Sequence, residues 1–226
     1  MNPLKAPDGA TTEAIKTTSE KMTKIAAALK AITANITGGA ADAIAPSAAG
    51  AGPDATDKDT ITGEAKAVAG AIKTIIDLVL PNAKLGTAKS TVVTAAKQAK
   101  AGDAITLFAN KGTAGNTKAT AAAGNKAVTI VAKATGEGML KAIADDATTK
   151  AVALAGGYAA TANDGATNGT DDADIEAIVG SSDTDKNLED DIFSAAVALR
   201  AITKTGKFGA KAEADAKAIA GGACCN

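Results

Sequence analysis

Apolar positions recur at helical spacing in two long stretches of the chain. Ile15, Met22, Ile25, Leu29, Ile32 and Ile36 lie three, four or seven residues apart, which places them on one face of a helix. The spacing predicts a helix from Thr12, capped by Thr11 or Thr12 and stopped at Gly38-Gly39. A second stripe, Ile61, Ala65, Val68, Ile72, Ile75 and Val79, alternates steps of four and three and closes at Pro81, where the missing N–H and the ring end a helix. Between them "AIAPSAAGAGPDATDKD" reads as a loop rich in Pro, Gly and Asp.

From residue 87 to 155 the stripes shorten and glycines interrupt them. Short helices are expected near 88–100, 103–109, 117–134, 137–146 and 148–155. Thr135 is placed to cap the helix that holds Met139, Leu140 and Ile143, because its hydroxyl can accept from an orphan amide. "GGYAATANDGATNGTDDA" reads as an exposed loop, "DIEAIVG" as a short turn, and "DDIFSAAVALRAITKTGKF", residues 190–208, as a further helix. "AKAEADAKAIA" begins another. No segment alternates over more than a few residues. The expected class is therefore mainly α: a compact helical bundle with long irregular surface loops and few or no strands. One domain is expected over 1–226, with 1–11 and 223–226 outside the ordered fold.

Composition narrows this further. Alanine supplies 59 of the 226 residues, more than half of the 46% counted as hydrophobic. Alanine has the best helix propensity and loses no rotamer entropy, so the pattern favours thin, closely packed helices over a bulky core. The 24 basic and 25 acidic residues leave a net charge of -1, which gives no overall attraction to nucleic acid. Locally, residues 84–150 hold ten lysines against four acids, and 171–191 hold nine acids against one lysine; these read as solvated faces of opposite sign. The N-terminus lacks the charged start and apolar run of a secretory signal, and no stretch of 18 apolar residues occurs.

Candidate chemistry is sparse. With no histidine, imidazole metal ligands and histidine-activated nucleophiles are excluded. Cys224 and Cys225 are adjacent and make neither zinc spacing nor a disulfide framework. The acidic run Asp171, Asp172, Asp174 and Glu176 lacks the alternating ligands and terminal glutamate of a calcium loop. Asp145-Asp146 and Asp190-Asp191 are sequence neighbours, and adjacent helical positions do not face one another. "GEG" and "GNTKATAAAGNK" follow no strand and match no phosphate-binding spacing. Asn35-Ile36-Thr37 and Asn168-Gly169-Thr170 fit the glycosylation pattern, which matters only in a secreted protein of a glycosylating organism. No catalytic, cofactor-binding or metal site is expected.

Arg200 is the sole arginine. Ile192, Ala195, Ala196, Leu199 and Ile202 form a stripe on its helix, with Phe193, Ala196, Val197 and Arg200 along the border. Either the arginine is an anion site, or its stem covers apolar surface while its fork reaches a carboxylate on a neighbouring element. The rest of the stretch has structural work: Asn187, Glu189, Asp190 and Asp191 suit the exposed amides of the helix start. Gly206 suits a left-handed cap at its end, with Phe208 folding back on the last turn. That favours a clamp made of Arg200, Asp190, Asp191, Phe193, Leu199, Gly206 and Phe208.

"GEGMLKAIADD", the glycine-rich loop and "DDIFSAAVALRAITKTGKFGAKAEADAKAIAGGA", preceded in order by "AKAVAGAIKTIIDLVL" and "GDAITLFANKGTAGNTKATAAAGNKAV", resemble the variable large protein and VlsE-like surface lipoproteins of Borrelia spirochaetes. The resemblance runs from about residue 12 to 222 and is most specific at "VALRAITKTGKF", residues 197–208. It implies a helical, non-enzymatic antigen on the outer face of the outer membrane, which evades host antibody by exchanging variable segments over a common scaffold. The Arg200 helix then corresponds to the family's less variable antigenic segment, and loops such as 156–174 to variable surface. Host antibodies are the implied partners, with a homodimer as a further expectation and no cofactor. The family's lipid anchor is an N-terminal cysteine, so Cys224 and Cys225 do not inherit it; relative to the family the chain reads as trimmed at both ends. An alternative is an adhesin that uses exposed lysines of 84–150 for an anionic host ligand.

Overall fold

A computed structural model describes residues 8–36, 55–80, 93–94, 104–110, 119–144, 150–159 and 187–208. Among these, six α-helices carry the architecture: α1 Gly9–Asn35, α2 Lys58–Val79, α3 Ala121–Val131, α4 Gly136–Ala144, α5 Lys150–Gly156 and α6 Asp190–Ile202. Single 3-10 turns lie at Ala55–Asp57 and Ala104–Phe108. Four two-residue strands complete the frame: β1 Val93–Thr94, β2 Ala109–Asn110, β3 Tyr158–Ala159 and β4 Asn187–Leu188. The protein is mainly α, as the periodicity predicts.

Both long helices form where the stripes place them. The start of α1 differs in detail: Asp8, not a threonine, is the N-cap, and its carboxylate accepts from the Thr11 N–H at 2.7 Å. This bond to the helix start lowers the Asp8 pKa from its ordinary value. Thr12, Thr18 and Thr23 turn their hydroxyls onto carbonyls four residues back, which satisfies them within the helix. The stripe itself is split. Ile25, Ala28, Ile32 and Ile36 are at least partly buried, whereas Met22 is 61% exposed and Ile15 and Leu29 are exposed with it. Successive residues turn by about 100°, so the face around Ala28, where α1 packs on α2, leaves the Ile15–Met22–Leu29 line outside.

The interior divides into two apolar clusters on either side of α6. One joins Ala65, Val68 and Ala69 of α2 with Ala142 and Ile143 of α4, Ala151, Val152 and Ala155 of α5, and Ala195 and Leu199 of α6. The other joins the Ala104–Phe108 turn, Ala123 and Ala127 of α3, Leu154, Tyr158 and Leu188 to Phe193, Ala196 and Phe208. The helices that surround α6 use alanine at most contact positions, which lets their axes approach closely. α6 is thereby buried around most of its circumference, with only Ile202 of its predicted stripe exposed.

Three expectations are corrected. Val93–Thr94, expected inside a helix near 88–100, pairs antiparallel with Asn187–Leu188. The helix expected over 103–109 is a tight 3-10 turn running into β2, which pairs in parallel with β3. The predicted exposed loop starting at residue 156 instead opens as buried structure: Gly156 ends α5 and Tyr158 is 2% exposed. In each case the partner is remote in sequence, and two-residue strands carry no period to read. The Gly38-Gly39 stop, Pro81, residues 160–174 of the loop, the "DIEAIVG" turn and the final "AKAEADAKAIA" helix lie outside the described residues.

Gly157 has φ of 79°, and a Cβ there would strike the Phe108 carbonyl and the Arg200 guanidinium. Gly70, in the middle of α2, has open space at the same position. Gly157→Ala is therefore expected to lower stability by at least about 2 kcal/mol, while Gly70→Ala raises it by about 0.5–1 kcal/mol. Urea unfolding of the two variants measures both signs.

Candidate functional site

The polar centre of the molecule is Arg200, which is fully buried between the two apolar clusters. Its stem rises from the last turn of α6, and its fork distributes hydrogen bonds over four acceptors on three separate segments. Nε donates to the Lys207 carbonyl at 2.8 Å, and one terminal nitrogen donates to the Ala155 carbonyl at 3.0 Å and the Phe108 carbonyl at 3.4 Å. The other terminal nitrogen donates to the Asn110 side-chain oxygen at 2.7 Å. Asn110 in turn donates its amide to the Gly156 carbonyl at 3.1 Å. The guanidinium carbon lies 5.8 Å from the Phe108 ring centre and 5.7 Å from that of Phe208, within cation–π range.

The expected carboxylate partner is thus corrected: among the described residues the fork meets main-chain carbonyls and an amide oxygen. The planar fork suits that set, because its donors diverge and can collect acceptors from several directions. Desolvation pulls the Arg200 pKa down to about 9, against an opposing interaction with Tyr158. The four oxygens favour the charged form, so the guanidinium keeps its charge at neutral pH.

The remaining predicted residues divide around this centre. Phe193 packs edge-on to Phe108, with ring centres 5.5 Å apart, and Phe208 joins the same group at 6.0 Å. Leu199 faces the other cluster. Gly206 is not a left-handed cap; the helix ends at Thr203 in extended conformation, with its N–H on the Leu199 carbonyl. Glycine fits at 206 for another reason, since a Cβ there would collide with the Arg200 carbonyl and the Thr203 hydroxyl. The acids at the start of α6 do not cap it: the N-cap Glu189 makes no side-chain cap bond, and Asn187 lies in β4. Asp191 crosses to α4 instead, accepting the Thr135 N–H at 2.6 Å and its hydroxyl at 3.3 Å. Thr135 caps α4 as expected, accepting from the Gly138 N–H at 3.1 Å, and only a glycine at 138 leaves room for the Asp191 carboxylate.

The segment after α6 ties down the two long helices. Thr203 bridges Ile36, and the Lys204 N–H donates to the Asn35 carbonyl at 3.2 Å. Thr205 places its N–H and hydroxyl on the Glu64 carboxylate of α2, both at 2.9 Å. Asn35, in one glycosylation triplet, already donates its amide to the Ala31 carbonyl in the last turn of α1, unlike the free loop position that modification needs. Asn168, Asp145-Asp146, Asp171, Asp172, Asp174, Glu176, Cys224 and Cys225 lie outside the described residues. Sequence reasoning missed Glu64, Phe108, Asn110 and Gly157. Of these only Gly157, in a glycine pair at a predicted helix end, carried a local signal.

No group of three or more His, Cys, Asp or Glu is placed to hold a metal among the described residues. Nor is any described helix long and apolar enough to cross a membrane.

Fold and centre together define an alanine-rich, mainly helical protein organised around a buried arginine. The chain belongs to the Borrelia lipoprotein family, whose model matches residues 3–225. Among solved structures it is similar to the Lyme disease variable surface antigen VlsE of Borrelia burgdorferi, at 25% identity and a TM-score of 0.56, over 96% of this chain and 68% of that one. The resemblance read from residues 197–208 and their surroundings is thereby borne out. No curated protein matches the sequence.

Arg200→Ala strands several buried acceptors, and Arg200→Lys replaces a divergent fork with a point charge. Each is expected to cost at least about 3 kcal/mol and to lower the melting midpoint by roughly 6–12 °C for a chain of this size. Circular dichroism melts check this. Asp191→Ala leaves the Thr135 N–H without its acceptor, and a smaller loss of about 1–3 kcal/mol is expected in the same assay.

Proposed function

We propose that this chain is a non-enzymatic surface antigen of a Borrelia cell, held at the outer face of the outer membrane by a lipid anchor, and that it evades host antibody by exchanging exposed segments over a fixed helical frame. The family membership and the similarity to a variable surface antigen support the class. The observation that carries the mechanism is that five residues of the segment the resemblance ranks as most specific, Leu199, Arg200, Thr203, Gly206 and Phe208, are interior. A frame pinned by inward-facing residues places few demands on the identity of what lies outside it. In this reading Arg200, with Phe193, Leu199, Gly206 and Phe208 around it and Asp191 at the far end of α6, is the clamp that keeps the frame constant, while Asp190, expected in the clamp, is buried without a hydrogen-bond partner and stands outside it.

Variation has to spare the clamp. Gly156, Gly157 and Tyr158 belong to the frame, so exchange is expected beyond them, from about residue 160 to 174. Repeated sequencing of this locus in one bacterial lineage through an infection tests the reading. The expected outcome is segmental replacement in 160–174 with Arg200, Asn110, Gly157 and Asp191 retained. An unchanged 160–174, or replacements that strike the clamp as often as the outside, would contradict it.

A further inference from the structure

The start of α6 holds acidic side chains whose buried oxygens have no partner. Asp190 is 2% exposed, and neither of its carboxylate oxygens has a hydrogen-bond partner. The buried Oε2 of Glu189 is unpartnered too, as is the hydroxyl of Ser194, which is 1% exposed. Ser194 is four residues beyond Asp190 and therefore on the same face of the helix. Helical side chains lean toward the N-terminus, so the two side chains leave the helix start on one side, yet they do not bond.

Charge decides what suits these four oxygens. The third acid of the run, Asp191, is engaged by Thr135, and the Arg200 fork is occupied by carbonyls and Asn110. Among the described residues neither Glu189 nor Asp190 enters an ion pair. The buried Asp190 carboxylate and the half-buried Glu189 carboxylate thus have only the helix macrodipole for a counterpart, equivalent to about half a positive charge. Water would satisfy hydrogen bonds but leave that imbalance, and an uncompensated buried charge is costly.

We propose that Glu189, Asp190 and Ser194 form a site for a hard cation, with calcium as the fitting divalent ion. The donors are all oxygens, with none of the nitrogen or sulfur that softer metals prefer. Two carboxylates and one hydroxyl are a small set, so the remaining ligands are main-chain carbonyls or water. The affinity then falls at the weak end of the calcium range, with a dissociation constant on the order of 0.1–1 mM.

The test is thermal unfolding of the full chain after chelation, titrated with calcium chloride and, at matched ionic strength, with magnesium chloride and sodium chloride. Wild type is compared with Asp190→Asn and Ser194→Ala. Calcium is expected to raise the wild-type midpoint by several degrees, Ser194→Ala to lose at least half of that rise, and Asp190→Asn to lose all of it. Without calcium, Asp190→Asn should melt no lower than wild type, because the isosteric amide removes the unbalanced charge. Absence of a calcium-specific rise in wild type, or an equal rise in all three proteins, overturns the proposal. If Asp190→Asn does not fold, the comparison with Ser194→Ala, which changes no charge, decides alone.

Discussion

A guanidinium sealed inside a protein is tolerated only when its donors find acceptors, because desolvating a charge costs several kcal/mol. Arg200 meets that condition by drawing on the 3-10 turn at Phe108, Asn110 of β2, the end of α5 and the strand of chain after α6. The turn and β2 form one continuous stretch, 104–110, and that stretch, the end of α5 and the chain after α6 are remote from one another in sequence. The same condition that makes the arginine bearable therefore makes the arrangement all-or-none: if one segment leaves, a buried donor or acceptor is stranded. In a molecule whose helices touch largely through alanine, where each contact removes little area from water, one centre that couples α6 to three other stretches has a disproportionate share in defining the fold.

The other polar contacts extend this centre outward. Thr205 on Glu64 and Lys204 on Asn35 bring α2 and α1 to the end of α6, and Asp191 on Thr135 fixes α4 at its beginning. α6 thus works as an axle with attachments at both ends, and its burial follows from that position. Leu199, Arg200, Thr203, Gly206 and Phe208 face inward while Ile202, Lys204 and Lys207 are exposed, so the residues that hold the frame are kept apart from those that meet solvent. The surface-antigen reading uses this physical separation.

Helix content and the positions of α1 and α2 were legible because a 3.6-residue period is a property of one continuous segment. Thr135 was legible for the same reason, since a hydroxyl before a helix and the amide it caps are three residues apart. Periodicity names a face without naming what covers it, which is why the Ile15, Met22 and Leu29 line was grouped with residues that pack on α2 although it lies outside. The partners of Arg200 were not legible. Carbonyl oxygens belong to every residue, so nothing in the letters at 108, 155 or 207 marks an acceptor, and Asn110 carries no sign of its bond 90 residues away. The start of α6 misled for a related reason: three acids at the start of a helix suit its dipole, but Asp191 crosses to α4, Asp190 is buried and the half-buried Glu189 makes no cap bond.

Native-state hydrogen exchange tests the central claim most directly, because it ranks the opening free energy of each segment within one unperturbed molecule. If the Arg200 centre couples these segments, amides of α6 and of residues 108–110 and 155–158 exchange only through the slowest, global opening and share one free energy of exchange. If α6 exchanges by a cheaper local opening while the alanine contacts of α2 and α5 remain protected, the arginine is a passenger in a frame held by other means.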